Sequence, residues 1–183
     1  MRRLVAVAVA WQVLAAAAGA SPARFFDALL AVVEARTVAA SDIALARALG
    51  VLGFAPSPSA IDRAEIPRFI DVLLLLEEAG RVGITADPAQ VDRAWTAAVA
   101  GWGDEATFQH WLDAHALDRA RARRLVEDDV VRARLVETRF ADLMEGQTAE
   151  QAEREWLEAA RRREGIRVLV PPETSAALPF PPR

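Results

Sequence analysis

The sequence predicts a mainly α fold: a multi-helix domain carrying a small β-sheet, made of an N-terminal hairpin plus a C-terminal strand. Three observations carry that expectation. Six segments open on an acidic or hydroxyl residue able to cap a helix, and most then repeat apolar residues in steps of three or four. One of them, 62–80, is apolar on nearly all sides, so other elements must surround it. The β-prone stretches lie only towards the two ends of the domain, at 30–39 and 166–170.

Taken in order, Leu30–Glu34 and Thr37–Ala39 flank Ala35-Arg36 and read as a short hairpin, although the turn lacks an Asn-Gly or Asp-Gly pair. Ser41-Asp42 offers capping oxygens to a helix running to about Leu52. Gly53–Ser59, with Pro56 and Pro58, reads as a loop. The helix from about Asp62 to Gly80 carries Ile66, Phe69, Ile70, Leu73, Leu74 and Leu76, with Pro67 near its first turn where a missing N–H costs little. Asp87-Pro88 starts a helix whose stripe is Val91, Trp95, Ala98 and Val99. Asp104 caps a shorter one bearing Phe108, Trp111 and Leu112.

Asp118 opens the longest helix, to about Met144, with the stripe Ala122, Val126, Val130, Ala133, Val136, Phe140 and Leu143. Arg119, Arg121, Arg123 and Arg124 sit near its start, where the helix dipole disfavours cations, so neighbouring carboxylates should answer them. Thr148 and Gln151 have the spacing of a capping box, with Ala152, Trp156, Leu157 and Ala160 beyond. That helix stops near Gly165. Ile166–Val170 alternates as a strand able to pair with the hairpin, and the proline-rich 171–183 reads as an extended or disordered tail.

Ahead of the domain, Met1-Arg2-Arg3, the apolar run Leu4–Ala18 and the small residues Ala18 and Ala20 have the form of a signal peptide cut after Ala20. The run is shorter than the roughly 20 residues of a membrane span. Export to the periplasm or beyond follows, and a retained membrane anchor is the alternative. Removing 20 of the 183 residues leaves 163, enough for one domain, 21–170, with a sizeable core. Loss of Arg2 and Arg3 takes the formal charge from −4 to −6, which argues against a nucleic-acid partner. With no cysteine, disulfides are excluded.

Catalytic patterns are absent. His110 and His115 are five residues apart and lack the spacing of a helical metal pair. There is no Gly-rich phosphate loop, Gly-x-Ser-x-Gly elbow or cysteine nucleophile. Glu127-Asp128-Asp129 and Glu77-Glu78 are consecutive on helices and point in different directions, so they read as a solvated face paired to nearby arginines. No cofactor, metal or small-molecule substrate is expected. Trp95, Trp111 and Trp156 fall on apolar stripes and read as core. Trp102, between Gly101 and Gly103, can cap the core or contact a ligand.

The order of these elements resembles the N-terminal domain of the SurA-like periplasmic chaperones, the helical module that accompanies parvulin-type peptidyl-prolyl isomerases. Val33–Asp42 is similar to the family's opening, with Glu34-Ala35 in place of Asn-Gly and Ser41-Asp42 in register. Phe69–Ile84 resembles its central leucine helix, ending in an alanine and Gly-Ile. Asp87–Val91, Phe108 with Leu112, and Arg123–Phe140 follow at the family's intervals, and Ile166–Val170 matches its returning strand. The parvulin domain has no counterpart: only Glu145-Gly146-Gln147 lie between Met144 and Thr148. The resemblance therefore implies the non-catalytic half alone, an apolar-lined cradle for unfolded exported or outer-membrane chains. Phe54, Trp102 and Phe108, in or beside loops, are the candidate client-binding residues. A structural module that docks a folded partner, a second copy or a separate parvulin subunit is the alternative, with Leu178–Arg183 as a possible docking element.

Overall fold

A computed structural model describes residues 27–34, 36–56, 61–140 and 148–169 of the chain. The predicted leader, most of loop 53–59 beyond Pro56, the segment around Leu143 and Met144, and the tail lie outside the described residues.

The fold is mainly helical with a small antiparallel sheet, as the capping and periodicity require. Strands β1 (Leu29–Val33) and β2 (Arg36–Ala39) form the hairpin, with Val32 opposite Thr37 and Val33 opposite Arg36. In place of the missing Asn-Gly, Glu34 itself takes a left-handed φ of 52°, a conformation a side chain resists. Strand β3 (Ile166–Val168) pairs antiparallel with β1 on its other side, giving the order β2-β1-β3. The sheet buries Leu30, Ala31, Val33 and Val38.

Helix α1 (Ala40–Leu49) begins differently from the expectation. Ala39 is its N-cap, and Asp42 reaches back from the third helical position to the Ala39 N–H at 3.0 Å. Ser41 turns instead to Asp27, whose carboxylate takes both its N–H, at 2.9 Å, and its hydroxyl. The helix also ends before Leu52, because Gly50 adopts φ +68° and a Cβ there would meet Pro56 Cγ at 2.8 Å.

Helix α2 (Glu65–Arg81) is the hub, packing on α1, on both strands of the hairpin and on the two long helices described below. Every apolar residue assigned to its core is buried, and Leu74 keeps 2 % of its surface. It starts three residues later than expected; Asp62 still contributes by accepting the Ala64 N–H at 3.0 Å. Helices α3 (Pro88–Ala100), α4 (Glu105–Ala114) and α5 (Arg119–Arg139) open on the anticipated caps. Asp87 accepts from Ala89 N, Asp104 from Thr107 N and Asp118 from Ala120 N, at 3.0, 2.6 and 3.0 Å. Helix α6 (Ala149–Arg163) has the full capping box between Thr148 and Gln151.

The buried face of α5 departs from the single predicted stripe. Ala122, Val126 and Phe140 are buried as expected, but so are Leu125 and Leu135, whereas Ala133 is exposed and Val130 and Val136 are half-buried. The helix packs against α1, α2 and α3 together, so the surface it covers is wider than one line of residues. Three of the four arginines at its start are answered by carboxylates as predicted, and Arg124 has no ion pair with a described residue. Arg119 pairs with Glu105, Arg123 with Asp92, and Arg121 with Asp42 at 2.6 Å and Asp27 at 3.6 Å.

Candidate functional site

The three residues predicted to touch a client belong to the packing of the domain. Phe108 has no exposed surface. It lies at the centre of an aromatic group, with ring centroids 5.8 Å from Trp95, 5.4 Å from Trp102 and 6.2 Å from Trp111. Phe54 keeps 3 % of its surface and packs at 6.0 Å from Phe69, under the guanidinium of Arg68. Proximity to a loop misled in both cases: Phe54 follows the end of α1 and Phe108 lies in the first turns of α4, but each ring turns inward to escape water. Trp102 is half-buried, and its indole N–H donates to the Ala48 carbonyl at 3.0 Å, so its polar end ties the α3–α4 connection to α1.

The structure instead opens a cleft of about 590 Å³ between β2, α2 and α5. Its floor is apolar and comes mainly from α2, through Phe69, Val72, Leu73 and Leu76, joined by Leu52 and by Leu125 of α5. Arg36 and Thr37 of β2, with Asp42 of α1, form one wall. Arg121, Arg124, Glu127 and Asp128 of α5 form the other. The wall brings together residues as far apart in the chain as Arg36 and Asp128.

These wall charges are not equivalent. Arg121 is held in place: its Nη2 and Nε lie 2.6 and 3.0 Å from Asp42 Oδ1, and Asp42 in turn holds the first turn of α1. Arg36 and Arg124 are exposed, and neither has a direct ion pair with a described residue. Asp128 is half-buried, and its carboxyl is pushed up to about 6. Burial is the main cause; the pull of Arg36 and Arg124 opposes it, while Glu127 and Asp42 add to it. The expectation of one solvated acidic face at 127–129 therefore holds only for Glu127. Asp129 is tied down too, accepting the Leu52 N–H at 2.8 Å where Leu52 has a left-handed φ of 58°.

A second cleft of about 370 Å³ lies between α2 and α6, lined by Leu74, Trp156 and Ala160 among charged residues. Here the buried charge, Glu78, is already paired. Glu78, only 6 % exposed, receives two hydrogen bonds from Arg81 at 2.8 and 2.6 Å and lies 3.6 Å from Arg139. The Arg81 bonds hold its carboxyl below the usual range despite burial.

His110 is exposed, and His115 Nδ1 lies 2.7 Å from the Trp111 carbonyl, its ring tilted against Trp111 with centroids 4.6 Å apart. Among the described residues no cluster of three or more His, Asp or Glu side chains is placed to hold a metal ion. No described helix is long and apolar enough to cross a membrane. What the first cleft offers is an apolar floor, a mixed-charge rim and a strand edge, an arrangement suited to holding a chain. Nothing in the wall signalled this in the sequence, because Arg36 lay in a predicted turn and Asp128 in a run read as solvated. The chain matches no protein-family model and no curated protein.

Proposed function

We propose that the protein is an ATP-independent periplasmic holdase that binds unfolded or extended exported polypeptides, outer-membrane proteins among them, and performs no isomerase chemistry itself. The observation that carries this reading is the β2–α2–α5 cleft, whose apolar floor lies beside a charged rim. Such a surface holds apolar side chains out of water while leaving the main chain of the client near polar groups. The order of elements similar to the SurA-like chaperone domain, and a leader with the form of a signal peptide, support the same reading, including work outside the cytoplasm.

The decisive experiment dilutes a denatured outer-membrane protein into buffer with and without the purified chain beginning at Ser21. Suppression of light scattering at near-stoichiometric protein, without nucleotide, is the expected result. Aggregation at the unassisted rate sinks the proposal.

One observation favours a second reading, a module that docks a folded partner. Leu29, Val168 and Leu169 are large apolar residues left 44, 51 and 40 % exposed at one end of the sheet. Capture of a folded partner or a separate parvulin subunit, lost when Val168 and Leu169 are replaced by serine, would shift the weight to that role.

A further inference from the structure

The open edge of β2 lies on the cleft, and hydrogen bonds elsewhere in the sheet determine which of its main-chain groups face outward. Along an antiparallel strand, successive residues direct their N–H and C=O groups to opposite edges. Ala40 donates inward to the Ala28 carbonyl at 2.9 Å, whereas the Ala39 N–H is turned outward to Asp42 at 3.0 Å. Two residues back, Thr37 shares the outward orientation of Ala39. The partner strand agrees: the Leu30 carbonyl accepts the Leu169 N–H at 2.9 Å, and Val32, two residues on and opposite Thr37, shares that orientation towards β3. Thr37 is exposed and β2 ends the sheet, so by this alternation its N–H and C=O face away from β1.

We propose that a client binds as an added β-strand on Thr37, an extended segment in which an acidic residue stands beside apolar ones. This deepens the holdase reading and rests on it. A strand laid along β2 exchanges two main-chain hydrogen bonds with Thr37, independent of client sequence. Its side chains alternate, so every second one drops towards Leu73, Leu76 and Leu125 on the cleft floor. Arg36 and Arg124, on opposite walls and without a direct ion pair among the described residues, are placed to receive the client carboxylate. Glu127 and Asp128 on the same wall limit this to one acidic group at a time.

Thr37→Pro tests the mode. Proline removes an N–H that the sheet does not use, fits an edge strand, and requires an extended residue before it, which Arg36 already is. The probe is a short fluorescent peptide alternating Val and Thr with a single central Glu, titrated into the wild-type chain and the variant. Strand addition predicts saturable binding by wild type and about tenfold weaker binding by Thr37→Pro, with an unchanged circular dichroism spectrum. Replacing Glu by Gln in the peptide should weaken binding about threefold. A peptide N-methylated at alternate positions should lose binding in one register and keep it in the other, which reports on the mode even if the proline variant does not fold.

Wild-type binding unchanged by Thr37→Pro and by either methylation register overturns strand addition and leaves the holdase standing. Failure of the wild type to bind this peptide or a denatured outer-membrane protein overturns both. A concentration-dependent dimer dissolved by Thr37→Pro would assign the edge to a second copy of the chain, against the proposal.

Discussion

Helices α2 and α5 lie against each other and form two sides of the same cleft, yet they solve opposite problems. Of the 17 residues of α2, ten are buried, and they include Leu73, Leu74, Leu75 and Leu76 in succession. Of the 21 residues of α5 only four are buried, and its first half alternates arginine with alanine before three acids. The contrast shows that α2 is fixed by the removal of apolar surface from water, which needs no particular partner geometry. To its four buried apolar residues α5 adds specific charges that meet carboxylates on α1, α3 and α4. One helix supplies the cohesion, the other the chemistry of the rim.

The sharpest test of that contrast substitutes an equivalent residue on each helix. Leu74→Ala should cost about 2–5 kcal/mol, because it removes the body of a side chain that keeps only 2 % of its surface. Val130→Ala on α5, half-buried, should cost about 1 kcal/mol or less. Urea unfolding followed by circular dichroism gives both numbers, and equal costs would erase the distinction.

Next in size is Arg121→Ala. It leaves Asp42 and Asp27 without their shared cation and should destabilise by about 1 kcal/mol in low salt. The loss should shrink as salt is raised, whereas the Leu74→Ala loss should not.

Asp128 gives a comparable effect with the opposite sign. Its carboxyl titrates near 6 in the folded chain and near 3.9 in an unfolded one, so the native state holds the proton more tightly. The stability contributed by that proton is complete below about pH 4 and is lost as pH rises through 6. Asp128→Asn should therefore stabilise the protein at pH 7.5 by about 1 kcal/mol, after discount for partial exposure, and have little effect at pH 4. Thermal midpoints across that range are the readout; a variant less stable than wild type at pH 7.5 contradicts the assignment.

The smallest effect belongs to the hairpin. Glu34→Asn places a residue that tolerates left-handed φ at 52° and should stabilise by about 0.5 kcal/mol. It also removes the acid that, chiefly through a hydrogen bond, raises the Glu164 carboxyl; an NMR titration should show Glu164 returning towards its ordinary value.

Local chemistry was legible in the sequence, and long-range geometry was not. Asp87, Asp104, Asp118 and Thr148 cap the helices they were expected to cap, because a cap involves only the next few residues. The burial of α2 was equally plain, since a helix apolar on all sides has no alternative. Ser41 misled because its hydroxyl found Asp27, 14 residues away, before its own helix. Phe54 and Phe108 misled because position beside a loop says nothing about where a ring points. The cleft itself depends on a strand and a helix some 90 residues apart in the chain, and no local pattern in either announces the other.

Hydrogen exchange read by mass spectrometry, on the chain saturated with a denatured outer-membrane protein, tests the central claim most directly. A client held in the β2–α2–α5 cleft should bring new protection at Arg36–Ala39 and along the cleft-facing turns of α5 from Arg121 to Asp128, with the α2–α6 side unchanged. Client binding that leaves β2 and this stretch of α5 unprotected, or that protects only the exposed β3 end of the sheet, would contradict it.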